Sequence, residues 1–347
     1  MAANVGQDDD LSHIEEKALR AGAAKVYVED LRHEFVTKYL WPLVKSGAHY
    51  EGQYLLGTSI AGPLIAKHQV EIALLEGADA VAHGCTGQGN DQVRFELTYK
   101  ALAPHLNIIA PWREWDIRSR FDVIAYAHAR NISSTDTAEK LFRRDSNLWH
   151  MSHEGGVLED PSLAPPDDLY LFTLDPRFCP EGESEITLDF EEGVPVGLNG
   201  HLIPPVQLLE DLNEIAGTNG IGRVDVVENS VVGIKSRGVY ETPGGTLITA
   251  AHRELESLCL DRQTRYQKDI LSITYAQLVY DGHWHTPLRE AIDAFFAKTQ
   301  ETVTGSVTMG LCRGVITVKS RVSAQSLYRQ EITERFINLH ETLAGTI

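Results

Sequence analysis

His83-Gly-Cys-Thr-Gly-Gln-Gly-Asn-Asp-Gln-Val-Arg94 is the stretch whose reading decides the fold. Residues 79–83, leading into it, read as a short buried strand. Residues 92–102, following it, keep helical spacing, and 107–111 return to strand character. Strand, glycine-rich turn, helix and strand give the order of a parallel sheet covered by helices. Upstream the alternation continues: a helix over 11–21, a strand over 25–29, a helix over 31–44, and a helix over 59–76 with Leu64, Ile65, Ile72 and Leu75 on one face.

The quoted turn also marks a candidate site, because open α/β sheets bind ligands at the carboxyl ends of their strands. Gly84, Gly87 and Gly89 let the backbone approach a ligand closely. Thr86, Asn90 and Asp91 put polar groups at the helix start, and Arg94 follows one turn on. A helix N-terminus there favours a carboxylate or phosphate. A plain turn capped by Asn90 or Asp91 is the competing reading, but the density of polar groups favours a ligand. The stretch is neither a Walker loop, lacking Gly-Lys-Ser/Thr, nor a GxGxxG fingerprint.

After about residue 134 the rhythm changes to α+β. Strands are expected over 169–174, 185–190, 194–198 and 223–228, and a helix over 205–216. One long helical segment is expected over 245–280, another helix over 287–300, and a last one over 326–343. A hairpin is expected from 306–311 to 315–319 across Cys312-Arg-Gly314. Two further clusters stand out. Glu228 ends a strand, and Lys235, Ser236, Arg237 and Tyr240 follow around an expected turn. Such groups suit a zwitterion, Glu for an ammonium and Arg for a carboxylate, although a solvated turn with a local ion pair reads as well. In Asn147-Leu-Trp-His-Met-Ser-His-Glu, the spacing of His150 and His153 is a weak zinc pattern, and no metal site is assigned.

The formal charge of −18 argues against a nucleic-acid backbone or an anionic membrane surface as partner. No apolar run is long enough to span a membrane, and the first ten residues lack the pattern of a signal peptide. The four cysteines are scattered, which favours a reducing compartment, the cytoplasm.

These segments, in this order, resemble the argininosuccinate synthases. So do Lys25-Val-Tyr-Val-Glu-Asp-Leu, Tyr54-Leu-Leu-Gly-Thr-Ser59, Ile109-Ala-Pro-Trp-Arg, Leu158-Glu-Asp-Pro, Gly222-Arg-Val-Asp-Val-Val-Glu-Asn and Lys235-Ser-Arg-Gly-Val-Tyr-Glu-Thr-Pro-Gly-Gly. The resemblance implies an adenine-nucleotide α-hydrolase-like (PP-loop type) α/β domain over 1–134, an α+β synthetase domain over 135–325 and a C-terminal helix over 326–347. It implies an ATP-dependent ligase of arginine biosynthesis and the urea cycle that joins citrulline to aspartate through citrullyl-AMP. Magnesium accompanies the ATP, no prosthetic group is used, and the family forms homotetramers. By the same resemblance Tyr54, Ser59, Asn90, Arg94, Ser152, Glu228 and Tyr240 would hold citrulline. Thr86, Asn90 and Asp91 would hold aspartate, and Ala3 and Gly84 would touch the nucleotide. No side chain is expected as nucleophile.

The sequence departs from the family pattern in places. The family opens with a strand and a Ser-Gly-Gly-x-Asp-Thr/Ser-Ser loop that cradles pyrophosphate. No Ser-Gly-Gly occurs in these 347 residues, so weak or absent AMP formation is expected, and a ligand-binding or partner subunit is the alternative reading. Gly62 stands where the family has arginine, and Arg143 where it has a citrulline-contacting serine.

Overall fold

Two parallel strand pairs and two antiparallel sheets are joined by a helical core in the computed structural model, which describes residues 1–7, 11–86, 89–116, 120–130, 132 and 142–329. The first parallel pair is β1 (Ala2–Asn4) with β2 (Val28–Asp30), linked through α1 (Ile14–Arg20). The second is β3 (Ala80–Ala82) with β4 (Asn107–Ile109), linked through α5 (Asn90–Leu102). Parallel partners need such helical crossovers, so the expected α/β order is present.

Between the pairs run α2 (Arg32–Glu34), a π-helical turn (Phe35–Leu40), α3 (Trp41–Ser46) and α4 (Gly57–Leu75). Pro63 lies inside α4; having no N–H, it leaves the Ser59 carbonyl without its usual helical donor. Short helices α6 (Pro111–Glu114) and α7 (Arg120–Ala129) follow β4.

The second half holds a four-stranded antiparallel sheet in the order β10 (Arg223–Asn229), β11 (Lys235–Glu241), β6 (Met151–Glu154), β5 (Arg143–Ser146). A five-stranded one runs β13 (Val315–Val322), β12 (Gly305–Cys312), β7 (Ser184–Glu191), β8 (Val194–Leu198), β9 (His201–Leu202). Helices α8 (Pro205–Thr218) and α9 (Pro243–Cys259) pack on each other and on the five-stranded sheet, while α10 (Arg262–Tyr280) and α11 (Pro287–Gln300) pack on each other and on α3. The main core joins Leu40, Leu56, Ile60 and Leu64 from the first half to Leu209, Leu247, Leu255, Tyr275 and Met309 from the second. A smaller cluster of Ala66, Val70, Val81, Tyr99 and Leu106 seals α4 and α5 onto β3.

Four expectations are corrected. Residues 169–174 form no strand: the Leu171, Phe172 and Thr173 N–H groups donate to the buried carboxylate of Glu241 instead of to a neighbouring strand. The helical stretch over 245–280 is two helices, α9 and α10. Leu260 is extended, and the Asp261 side chain caps α10 by accepting from Gln263 N and Thr264 N at 2.9 and 3.1 Å. Lys235, Ser236 and Arg237 lie on strand β11 and not in a turn, which sits at Ser230–Gly233 instead. Residues 326–329 are not helical, and the remainder of the expected last helix lies outside the described residues.

Candidate functional site

The β10–β11–β6 face, the N-termini of α4 and α5 and the C-terminus of α10 meet at one buried place. Alternation along β10 turns Val226 and Glu228 inward and Asp225 and Val227 outward. Tyr240 of β11 lies opposite Ser152 of β6. The Tyr240 ring stacks on Tyr54 at 4.2 Å and lies 5.9 Å from His150. Gly238 makes room for it: a Cβ there would lie 2.4 Å from the Tyr240 hydroxyl oxygen. The Tyr54 hydroxyl accepts from Thr58 N at 3.0 Å, which ties the ring to the first turn of α4.

From the opposite side α5 supplies Asn90, Asp91 and Arg94. Asn90 Nδ2 donates to the Tyr280 hydroxyl at 3.0 Å, and its Oδ1 accepts from Val231 N at 3.0 Å. Arg94 is buried; its Nε donates to the Tyr280 carbonyl at 2.9 Å and its Nη1 to Asp91 at 2.8 Å. Gly282, at φ +82°, passes so close that a Cβ would lie 2.7 Å from Arg94 Cα. Thr86 closes the turn before α5, its carbonyl accepting from Gly89 N at 3.1 Å. His83 anchors the loop. Its Nδ1 accepts from Cys85 N, so its Nε2 carries the proton and donates to Glu96 at 3.0 Å.

Three polar atoms that meet at this place, Ser59 Oγ, Glu228 Oε2 and His150 Nδ1, are buried and have no partner in hydrogen-bonding geometry among the described residues. Ser59 is 0% and Glu228 4% exposed. Leaving such atoms unpaired costs about 1–3 kcal/mol each, a cost that a bound polar molecule removes. Burial pushes the Glu228 carboxyl above the ordinary range, and the Tyr280 and Tyr240 hydroxyls and the Arg94 guanidinium pull against it. The pocket can therefore take an ammonium at Glu228 and a hydrogen-bonding group at Ser59, beside the Arg94 guanidinium and the α4 N-terminus. Burial holds His150 neutral, down to about 3, and its Nε2 meets Thr58 Oγ1 at 2.9 Å.

Tyr54, Ser59, Asn90, Arg94, Glu228 and Tyr240 are thus linked by stacking, by shared partners or by adjoining helix turns, with Ser152 opposite Tyr240 and Asp91 paired to Arg94. Ala3, on β1, and Gly84, just after β3, lie on different parallel pairs; a Cβ on Gly84 would face open space. Gly87 and Gln88 lie outside the described residues. Arg237 does not join the site. It pairs with Asp225 across the strands, at 2.8 and 2.6 Å, and donates to the Asp160 and Leu163 carbonyls. The cation beside the pocket is Arg94. Arg143, paired in register with Glu154 on edge strand β5, is exposed. His153 donates to Glu241 in the core at 2.8 Å.

Sequence reasoning missed Tyr280, Tyr50, Thr58 and the role of His150. Tyr280 ends a helix far along the chain from Asn90 and Arg94, and no local spacing connects them. Its signal was weak: a tyrosine in the last turn of a helix closed by Asp281-Gly282.

Comparison with known proteins identifies the family. Residues 1–133 match the arginosuccinate synthase N-terminal HUP domain, and residues 142–341 match the arginosuccinate synthase C-terminal domain. The argininosuccinate synthase of Roseiflexus sp. (strain RS-1) is 58% identical over 330 residues, 95% of this chain and 81% of the relative. That of Acetivibrio thermocellus is 58% identical over 334 residues, 96% of this chain and 82% of the relative. That of Pelotomaculum thermopropionicum is 57% identical over 333 residues, 96% and 83% respectively. With both halves matched, and the relatives covered over most of their length, the chain belongs to the argininosuccinate synthase family.

Proposed function

We propose that this protein is an ATP-dependent carbon–nitrogen ligase that joins citrulline to aspartate in arginine biosynthesis. The observation that carries the reading is the pair of buried, unpartnered atoms, Ser59 Oγ and Glu228 Oε2, in a pocket shared with Arg94 and Tyr240. Tyr54, Ser59, Asn90, Arg94, Ser152, Glu228 and Tyr240 hold citrulline, with Glu228 taking its ammonium. Thr86, Asn90 and Asp91 hold aspartate. Asn90 belongs to both sets, which brings the two amino acids side by side. Ala3 and Gly84 face the nucleotide, and magnesium accompanies the ATP.

The ureido oxygen of citrulline attacks the α-phosphorus of ATP and pyrophosphate leaves. The aspartate amine then attacks the ureido carbon, AMP departs with the oxygen, and argininosuccinate forms. No side chain is required as nucleophile. Burial pushes the Cys85 thiol, between Gly84 and Thr86 in the glycine-rich turn, up to about 12. The protein works by fixing the reacting atoms in place and by stabilising charge as it moves.

Among the described residues no helix is long and apolar enough to cross a membrane. A cytoplasmic homotetramer completes the proposal, and light scattering on the purified protein checks the assembly. The activity is tested by following AMP, pyrophosphate and argininosuccinate with each substrate omitted in turn. The ligase reading requires AMP that depends on citrulline and argininosuccinate that depends on aspartate. Ligand binding with no AMP formed would favour the binding-subunit reading instead.

A further inference from the structure

We infer that Tyr280 is a positioning residue of this pocket, orienting Glu228, Asn90 and Arg94 together. The inference rests on the citrulline reading given above. Tyr280 is 1% exposed at the end of α10, and each of its parts meets the site. Its hydroxyl lies 2.8 Å from Glu228 Oε1 and 3.0 Å from Asn90 Nδ2. Its carbonyl accepts from Arg94 Nε at 2.9 Å. Its ring lies 4.9 Å from the Arg94 guanidinium carbon and stacks on Tyr50 at 3.6 Å, nearly parallel at 5°.

Hydrogen-bond chemistry sets the direction of these contacts. The Asn90 amide nitrogen can only donate, so the tyrosine oxygen accepts from it. The single hydroxyl proton is then given to Glu228. Held by one oxygen, the carboxylate keeps Oε2, the atom with no partner, for a ligand. Arg94, with Nε on the Tyr280 carbonyl and Nη1 on Asp91, is fixed with its other terminal nitrogen uncommitted in these two bonds.

The helix carrying Tyr280 is itself pinned. Lys268, earlier on α10 and buried, donates to the Ser46 carbonyl at 3.0 Å and pairs with Glu256 at 3.1 Å. Ser272 also donates to the Ser46 carbonyl, at 2.7 Å. These bonds fix where the end of α10 falls, and with it the tyrosine. A merely structural tyrosine would use its ring and not depend on its hydroxyl.

Tyr280→Phe separates the two roles, because it keeps the ring and the main-chain carbonyl. L-Citrulline and L-aspartate are titrated calorimetrically into the wild type, Tyr280→Phe, Glu228→Gln and the double variant, from about pH 5 to about pH 8. Losing a hydrogen bond to a charged group is expected to weaken citrulline binding by about tenfold or more. The acid limb of the binding curve is expected to move to higher pH, since Glu228 loses a donor that favours its ionised form. Tyr240, Arg94, Glu51, Tyr50, Tyr54 and Glu154, the other groups facing Glu228, are untouched by the substitution. On a Glu228→Gln background, Tyr280→Phe should weaken citrulline binding by a smaller factor than in the wild type, the remaining loss being the part carried by Asn90, whose amide loses its acceptor.

Wild-type affinity and an unmoved pH limb in Tyr280→Phe would overturn the inference, whatever happened to thermal stability, and would leave the pocket reading intact. A wild type that binds no citrulline would overturn the pocket reading, and the inference with it.

Discussion

Two buried glutamates on one sheet have opposite surroundings. Glu241 ends β11 and is 0% exposed. Its carboxylate accepts from five donors: the Leu171, Phe172 and Thr173 N–H groups, the Thr173 hydroxyl and His153 Nε2. His153 can donate because its other nitrogen accepts from Arg144 at 3.1 Å. Although burial raises it, these bonds hold Glu241 below the ordinary carboxylate range. Glu228, on neighbouring β10, is 4% exposed, keeps one oxygen unpaired, and is pushed upward by the same burial. Burial alone therefore does not tell a structural carboxylate from a ligand-binding one. The count of satisfied lone pairs does. Glu241 ties the 169–174 loop to the sheet, whereas Glu228 Oε2 has no partner among the described residues and is the atom proposed above to take a ligand.

The contrast can be broken most forcefully at Glu241. Glu241→Ala strands its five donors and should cost about 3–5 kcal/mol in chemical denaturation. An unfolding midpoint equal to the wild type's would show that the cluster is not what holds the loop. Glu154, on β6, sharpens the contrast at intermediate size. Burial, with Asp145 nearby, pushes it from 4.5 up to about 7. A carboxyl whose folded value is raised supports the fold fully below its unfolded value and loses that support as pH climbs through the raised one. The wild type should therefore lose stability between pH 4.5 and about 7, a loss that Glu154→Gln escapes. Thermal melting should place the variant about 2–4 °C above the wild type on the alkaline side and level with it on the acid side. The smallest effect is expected at Gly62, inside α4. A Cβ there would meet Arg94 Cβ at 3.5 Å and Phe95 at 3.8 Å, ordinary contacts. Gly62→Ala should stabilise by about 0.5–1 kcal/mol, and a destabilised variant would mean that α4 and α5 pack more tightly than these distances show.

Much of this could be read in the sequence because it is written locally. The strand–turn–helix around His83 to Arg94 carries its own punctuation, as do the Cys312-Arg-Gly314 hairpin and the Pro-started helices α8 and α11. The resemblance supplied Ser59 and Glu228, and the structure leaves both with free polar atoms. What was misread depended on distant partners. Residues 169–174 have strand-like composition, but their N–H groups are claimed by Glu241, far along the chain. Arg237 looked like a carboxylate binder because its partner, Asp225, becomes a neighbour only when β10 and β11 pair. The break between α9 and α10 had a local signal, Asp261 followed by Thr264, which the run of helical spacing on either side obscured. Tyr280 had almost none, since its role comes from four elements that meet only in the folded chain.

The central claim is that Glu228 Oε2 is held for the ammonium of citrulline. Calorimetric titration of L-citrulline into the wild type and Glu228→Gln, with unfolding followed on the same samples, tests it most directly. The account predicts binding to the wild type that weakens on acidification at a pH above the ordinary glutamate value of 4.5. It predicts a loss of about tenfold or more in Glu228→Gln, with no loss of stability, since the substitution removes a buried charge that is only partly satisfied. Citrulline bound equally well by both proteins, or a Glu228→Gln variant that binds normally and unfolds early, would contradict it.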